Sequence, residues 1–68
     1  MKAELEAVEK IKDTFSEDDY KSMVAKIAIR YLKDDAKNRV DLYKKVNELL
    51  KEKGLGSVSY SFVRYYEN

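Results

Sequence analysis

Residues 57–68 carry the side chains of this chain that could recognise another molecule. Their sequence, SVSYSFVRYYEN, contains three serines, three tyrosines and one arginine. Hydroxyl groups both donate and accept hydrogen bonds, whereas the planar guanidinium donates in a fixed fork. The chain has no Cys and no His, so thiol nucleophiles, imidazole bases and the usual soft metal ligands are missing. We therefore expect recognition by hydrogen bonding, and neither enzymatic activity nor a cofactor or metal ion.

The composition predicts one small domain over residues 1–68. With 68 residues and 44% hydrophobic content, the chain is long enough for three or four helices around one modest core. Without cysteine no disulfide can form, so packing must stabilise the fold. The N-terminal residues alternate charged and isolated apolar side chains, unlike a secretory signal. These features predict a soluble, cytoplasmic protein that is not secreted, and one associated with the nucleoid if it is natural.

The charges are distributed unevenly, although the net charge is only +1. Residues 1–19 carry three basic and seven acidic side chains, a charge of −4. Residues 20–68 carry eleven basic and six acidic side chains, a charge of +5. This asymmetry is typical of a domain whose C-terminal part faces a polyanion. Solvated helix surfaces with a chance imbalance would look the same.

Apolar residues at helical spacing predict an all-α, compact four-helix domain. The helices are expected over about residues 2–14, 17–33, 39–53 and 60–67. The side chains expected to point inward are Leu5, Val8, Ile11 and Phe15; Tyr20, Met23, Val24, Ile27, Ala28, Tyr31 and Leu32; Val40, Leu42, Tyr43, Val46, Leu49 and Leu50; and Phe62, Val63 and Tyr66. Val58 is expected to fill the turn before the fourth helix. A β-strand over residues 57–63 competes with that helix, because polar and apolar residues alternate there.

Four residues mark where the predicted helices begin and end. Ser16 and Ser59 precede helical segments and are suitable N-caps. Asn38, with an acid three residues later, resembles a capping box in which Asp replaces Glu. Gly54 follows the third helix at the position where a left-handed residue commonly ends a helix.

The segment Leu55–Arg64, LGSVSYSFVR, resembles the pattern L-G-V-S-x-x-T-V-x-R of the helix-turn-helix in bacterial repressors and recombinases. Residues 51–66 are similar to the helix-turn-helix of certain insertion-sequence transposases, in which a KEKG-like helix end is followed by S-Y-S-T-V-R-R-Y. The resemblance covers about the last third of the chain. Ser57 adds one residue to the repressor-like turn, and Phe62 replaces a residue that is usually small or hydroxylated.

The resemblance implies sequence-specific binding of double-stranded DNA by a monomer, with the last helix in the major groove. The residues expected to reach base edges are Tyr60, Ser61, Arg64, Tyr65 and Asn68. The residues expected to contact phosphates are Ser57, Ser59, Lys37, Arg39, Lys44 and Lys45. Simpler interpretations stay open: the two serines could be turn and cap residues only, and the lysines could be solvated surface.

Two further interpretations apply to the whole chain. A surface rich in Tyr and Ser also suits a protein-interaction module, natural or designed. The regular apolar stripes, the 40% charged residues and the absence of Pro, Cys, His and Trp resemble computationally designed small proteins. We therefore expect a designed DNA-binding protein on a helix-turn-helix scaffold, with a natural phage or mobile-element protein as the alternative.

Overall fold

The computed structural model describes residues 2–67, and within them the chain forms four α-helices and no strand. The elements are α1 (Lys2–Lys10), a 3-10 helix (Lys12–Thr14), α2 (Glu17–Leu32), α3 (Arg39–Glu52) and α4 (Tyr60–Tyr66). The structure confirms the predicted all-α, four-helix fold. The strand interpretation of residues 57–63 is wrong, because the helical backbone of α4 begins at Tyr60.

The predicted N-caps of α2 and α3 are confirmed. The Ser16 hydroxyl accepts from the backbone N–H of Asp19 at 3.1 Å, and the Asn38 amide oxygen accepts from that of Asp41 at 2.9 Å. The Asp41 carboxylate accepts in turn from the backbone N–H of Lys37 at 3.0 Å. In a usual capping box the acid reaches the cap residue itself. Here it reaches one residue further back, and so also fixes the chain entering α3.

The first helix is shorter than its predicted range of residues 2–14. It ends at Lys10, and the chain tightens into the 3-10 turn Lys12–Thr14. There the Thr14 hydroxyl donates to the Ile11 carbonyl oxygen at 2.6 Å, a local bond that competes with helix continuation. Phe15 is already extended, which places the following residue for capping α2. Because the helix has ended, Ile11 does not face the core and is 49% exposed.

Helix α2 lies at the centre of the molecule and packs against α1, α3 and α4. Its buried surface is therefore wider than the predicted stripe and includes Ala25 and Ile29. The buried apolar residues are Leu5, Val24, Ala25, Ile27, Ala28, Ile29, Leu42, Val46, Leu50, Val58 and Val63. Because these residues include members of α1, α2, α3 and α4, one cluster connects all four helices. Burying each large side chain in it stabilises the fold by about 1.5–3 kcal/mol.

Like Ile11, Tyr31 and Val40 were predicted to point inward and are exposed instead. Tyr31 is 41% exposed because its hydroxyl donates to the Glu4 carboxylate on α1, which also accepts from Arg30. That hydrogen bond raises the pKa of Tyr31. Val40 is 50% exposed. The buried Leu42 is two positions further along the chain, and at about 100° per residue the two side chains lie on nearly opposite sides of α3.

Tyr66, also predicted to point inward, lies over the edge of the core and is 38% exposed. Its ring centroid is 4.7 Å from that of Phe62 and 4.8 Å from that of Tyr65. The ammonium of Lys26 on α2 lies 4.7 Å from the centre of the ring. Such a cation–π contact contributes about 0.5–1 kcal/mol at an exposed site. Tyr66 thus connects α4 to α2 from the surface.

The end of α3 is set by Gly54, as predicted. Its φ of 73° is in the left-handed region, and its N–H donates to the Lys51 carbonyl at 3.0 Å. The N–H of Leu55 donates to the Leu50 carbonyl at 2.8 Å. These two bonds define a Schellman motif, which satisfies the last carbonyls of a helix and reverses the chain. Nearby, the Lys53 ammonium lies 2.9 Å from Glu9 of α1 and lowers the pKa of that carboxyl group.

Replacing Gly54 with alanine should lower the free energy of unfolding by about 1–2 kcal/mol, because an L side chain is strained in the left-handed region. No atom lies within 4 Å of the added Cβ, so the cost comes from the backbone alone. Gly56→Ala is the matched control, since its Cβ would meet only the end of the Lys21 side chain, at 3.7 Å. It should be neutral or stabilising by up to about 1 kcal/mol. Urea unfolding measures the free energy of unfolding of both variants. Equal losses would contradict the assignment of Gly54 as the left-handed end of α3.

Asp41→Asn should destabilise the protein at neutral pH but not in acid. The Lys37 backbone N–H, together with the Lys45 ammonium 3.3 Å away, holds the pKa of Asp41 below its ordinary value. The ionised form of Asp41 therefore stabilises the fold at pH values above the pKa of the unfolded state, which is about 4. This contribution is lost as the pH falls through the pKa of the folded state. Urea unfolding at neutral pH and at about pH 2 measures the difference. The exposed Asp34→Asn is the control, and a penalty of equal size at both pH values would contradict the expectation.

Candidate functional site

The position of α4 is fixed by a side chain from the middle of α3. The Asn47 amide donates to the Val58 carbonyl oxygen at 3.2 Å, and its oxygen accepts from the Val58 N–H at 2.8 Å. The Val58 side chain is buried, as predicted for the residue that fills the turn. The Ser59 hydroxyl then accepts from the Phe62 N–H at 3.1 Å and caps α4. Asn47 thereby positions both the turn and the start of the helix that follows.

Asn47 was not among the predicted site residues, although its residue type at this position gave an indication of its role. Asn is a weak helix former, because its side chain competes with the backbone for hydrogen bonds. Here it stands in the middle of α3, beside the buried Val46. A polar amide at such a position usually has a specific partner. The partner, however, lies eleven residues further along the chain, and only the folded turn reveals it.

Helix α4 buries Val63 completely and turns its other side to solvent. Tyr60, Ser61, Arg64 and Tyr65 are all exposed, as predicted, and we call these four residues the outer face of α4. Asn68, predicted to belong with them, lies outside the described residues. The backbone thus places hydroxyl, guanidinium and aromatic groups on one short surface.

Arg39 joins the outer face of α4 from the neighbouring helix. It lines a shallow open depression together with Ser61, Arg64 and Tyr65. Two guanidinium groups, one from the first turn of α3 and one from the last turn of α4, therefore border the same surface. The sequence predicted a role for each arginine, but it did not predict that they would lie side by side.

Arg39 is already engaged by a carboxylate. Its Nε donates to the Glu67 carboxylate just beyond α4, at 2.5 Å. The carboxylate, and to a smaller extent the Tyr60 hydroxyl, raise the pKa of Arg39. Glu67 was not among the predicted site residues. Its sequence position, 28 residues from its partner, gave no indication of the contact.

The same surface continues along α3. The rings of Tyr43 and Tyr60 meet edge to face with their centroids 5.8 Å apart, so the two helices share one aromatic contact. A second depression on α3 is lined by Tyr43, Lys44, Asn47, Glu48 and Lys51. Of the predicted phosphate-contacting lysines, the exposed Lys44 lies on this surface. Positive and negative side chains alternate here, and the surface is not a uniformly basic patch.

The other predicted phosphate-contacting residues lie elsewhere. Lys45 contacts the Asp41 carboxylate at 3.3 Å and the Asp35 carbonyl oxygen at 3.3 Å, beside the turn that carries the exposed Lys37. Ser57 and Ser59 line a separate depression against the start of α2, where Asp18 and Lys21 are their charged neighbours. The Lys21 ammonium donates to the Ser57 carbonyl oxygen at 3.4 Å. The structure therefore does not gather all the predicted contacts on one surface.

Comparisons with other proteins add no relative, since no family model, curated protein or solved structure matches the chain. Among residues 2–67 no group of three or more acidic side chains is arranged to hold a metal ion. None of the helices in that range has the length and apolar character needed to cross a bilayer.

Asn47→Ala should loosen α4 and lower the free energy of unfolding by about 1–2 kcal/mol. Both polar backbone groups of Val58 would lose their partner, while the better helix propensity of alanine offsets part of the loss. Glu48→Ala, at the next and exposed position of α3, is the control and should change stability by less than about 0.5 kcal/mol. Urea unfolding gives the free energies, and amide exchange at Val58 reports the turn. Unchanged exchange at Val58 in Asn47→Ala would contradict the role of the amide.

Proposed function

We propose that this chain binds double-stranded DNA sequence-specifically as a monomer, with α4 in the major groove and α3 against the backbone. One observation carries the proposal: the exposed outer face of α4 and the partly exposed Arg39 of α3 form one surface of hydrogen-bonding and cationic groups. An α-helix is about 10–12 Å in diameter, and the major groove is about 12 Å wide. A protruding helix can therefore bring such side chains to base edges.

The proposed roles follow from position on the helix. Arg64, one turn after Tyr60, would donate hydrogen bonds from the N–H groups of both terminal nitrogens to O6 and N7 of a guanine, a contact worth about 1–3 kcal/mol of discrimination. Tyr60 and Ser61 would reach neighbouring bases. Tyr65, at 75% the most exposed of the large hydrophobic side chains within residues 2–67, would extend the contact.

The cations of α3 would supply the sequence-independent part of the affinity. Arg39 and Lys44 lie on the same surface as the outer face of α4 and are proposed to bind the flanking phosphates. Lys37, Lys45, Ser57 and Ser59 are proposed as outer phosphate contacts; Lys45 would exchange Asp41 for a phosphate. Each phosphate neutralised by the protein releases counterions, so binding should weaken steeply with salt.

A protein-interaction module is the second candidate. The surface presents the rings of Tyr43, Tyr60 and Tyr65, and Tyr and Arg are enriched among the residues that dominate protein–protein affinity. Glu48 and Glu67 lie among the basic groups and reduce their attraction for a polyanion. Heparin chromatography separates the candidates, because a DNA-binding protein elutes only at raised salt. A protein-binding module near net neutrality would be barely retained.

Arg64→Gln should weaken binding to the preferred duplex by about tenfold or more, the loss expected for one bidentate base contact. The preferred duplex is first selected from a random oligonucleotide pool, and affinities for it and for a scrambled duplex are measured across a salt series. Lys10→Gln removes one positive charge from the exposed side of α1 and is the control, with little expected effect on the preference. Absence of salt-dependent binding, or equal weakening on both duplexes, would contradict the base-reading role.

A further inference from the structure

The contact between Arg39 and Glu67 occupies a cation that the proposed DNA interface needs. It joins the first residue of α3 to the residue after α4, and both side chains remain partly exposed, at 39% and 27%. A carboxylate and a phosphate oxygen accept from the same guanidinium donors, and both make charge-assisted hydrogen bonds with it. Only one of them can hold the Nε–H of Arg39 at a time. Glu67 therefore holds one of the donors that a DNA phosphate would use.

We propose that Glu67 is an internal competitor of the DNA backbone for Arg39, and that this competition lowers the affinity of the interface for DNA. The inference rests on the proposed function, because it concerns a cation of that same surface. In a loosely docked, non-specific complex Glu67 keeps Arg39, and one phosphate contact is lost. In a closely docked complex, in which Arg64 contacts its base, a phosphate reaches Arg39 and displaces the carboxylate.

The cost of the competition follows from what each complex does with Arg39. A complex that displaces Glu67 loses the free energy of the contact between Glu67 and Arg39. A complex that leaves the contact intact loses one phosphate contact instead, and this loss is no larger, since otherwise the carboxylate would be displaced. A specific complex also gains base-edge contacts, which offset the cost of displacing Glu67. Glu67 therefore lowers the affinity for both kinds of duplex, and at least as much for the selected one.

The geometry allows Glu67 to leave without disturbing the fold. Its backbone N–H donates to the Val63 carbonyl oxygen at 2.9 Å, a bond that does not involve the side chain. Its side chain is partly in solvent and can rotate away from Arg39. The depression beside Arg39 is open, and Arg64 and Ser61 border it. A phosphate that enters there meets two guanidinium groups and a hydroxyl.

The test compares Glu67→Gln with Glu9→Gln. Each variant raises the net charge by one and removes the carboxylate of an ion pair, but Glu9 pairs with Lys53 in a cleft lined by Phe15, Tyr20 and Leu55. Affinities for a selected and a scrambled duplex are measured across a salt series, and thermal unfolding verifies that each variant is folded. The same measurements on Arg39→Gln and on Arg39→Gln/Glu67→Gln show whether the effect passes through Arg39.

Glu67→Gln is expected to raise the affinity for the scrambled duplex about three- to tenfold and to steepen its salt dependence by about one phosphate contact. The affinity for the selected duplex should rise at least as much. Glu9→Gln should change both affinities less, and in the Arg39→Gln background the effect of Glu67→Gln should largely disappear.

Two results overturn the inference while the proposed function survives. One is an equal effect of Glu67→Gln and Glu9→Gln on DNA affinity, when the wild-type protein binds DNA with sequence preference. The other is an effect of Glu67→Gln that persists in full without Arg39, which would assign it to overall charge. If neither the wild type nor Glu67→Gln binds any duplex, both the proposed function and the competition are wrong.

Discussion

The pair of hydrogen bonds between the Asn47 side chain and the Val58 backbone is the interaction on which the rest of the candidate surface depends. A turn has few regular backbone partners, and its polar groups must be satisfied if they are shielded from water. Here one amide satisfies both the N–H and the carbonyl of the residue whose side chain enters the core. Since α4 begins two residues later, with Ser59 as its cap, this bridge sets where the outer face points.

The charged groups of the molecule mostly connect helices. Glu4 and Glu9 attach α1 to α2 and α3, Asp41 binds Lys45 one turn away within α3, and Glu67 crosses from α4 to α3. Exposed ion pairs contribute little stability each, about 0–1 kcal/mol. Their larger consequence is that they occupy cationic side chains. Positive charges are therefore balanced by negative charges on the surface as well as in the sequence, and Arg39 contacts the Glu67 carboxylate.

Local patterns in the sequence correctly predicted the parts of the fold that depend on near neighbours. The Ser16 and Asn38 caps, the left-handed Gly54 and the existence of four helices all follow from interactions within a few residues. Tyr31 and Val40 were placed inward on the same grounds and are exposed. Tyr31 is held at the surface by its hydrogen bond to Glu4, and Val40 lies on the side of α3 opposite the buried Leu42. A helical stripe shows which residues share a side, not which side another helix covers.

The sequence alone determined the helical fold, its caps and the exposure of the outer face of α4, because 3.6-residue periodicity and capping are local properties. Only the tertiary structure decided that Arg39 lies beside Arg64, that Glu67 holds Arg39, and that Ser57 and Ser59 face the start of α2. These contacts join residues far apart in the chain. Their geometry is set by how the helices pack around α2, and that packing cannot be predicted from residue type and spacing.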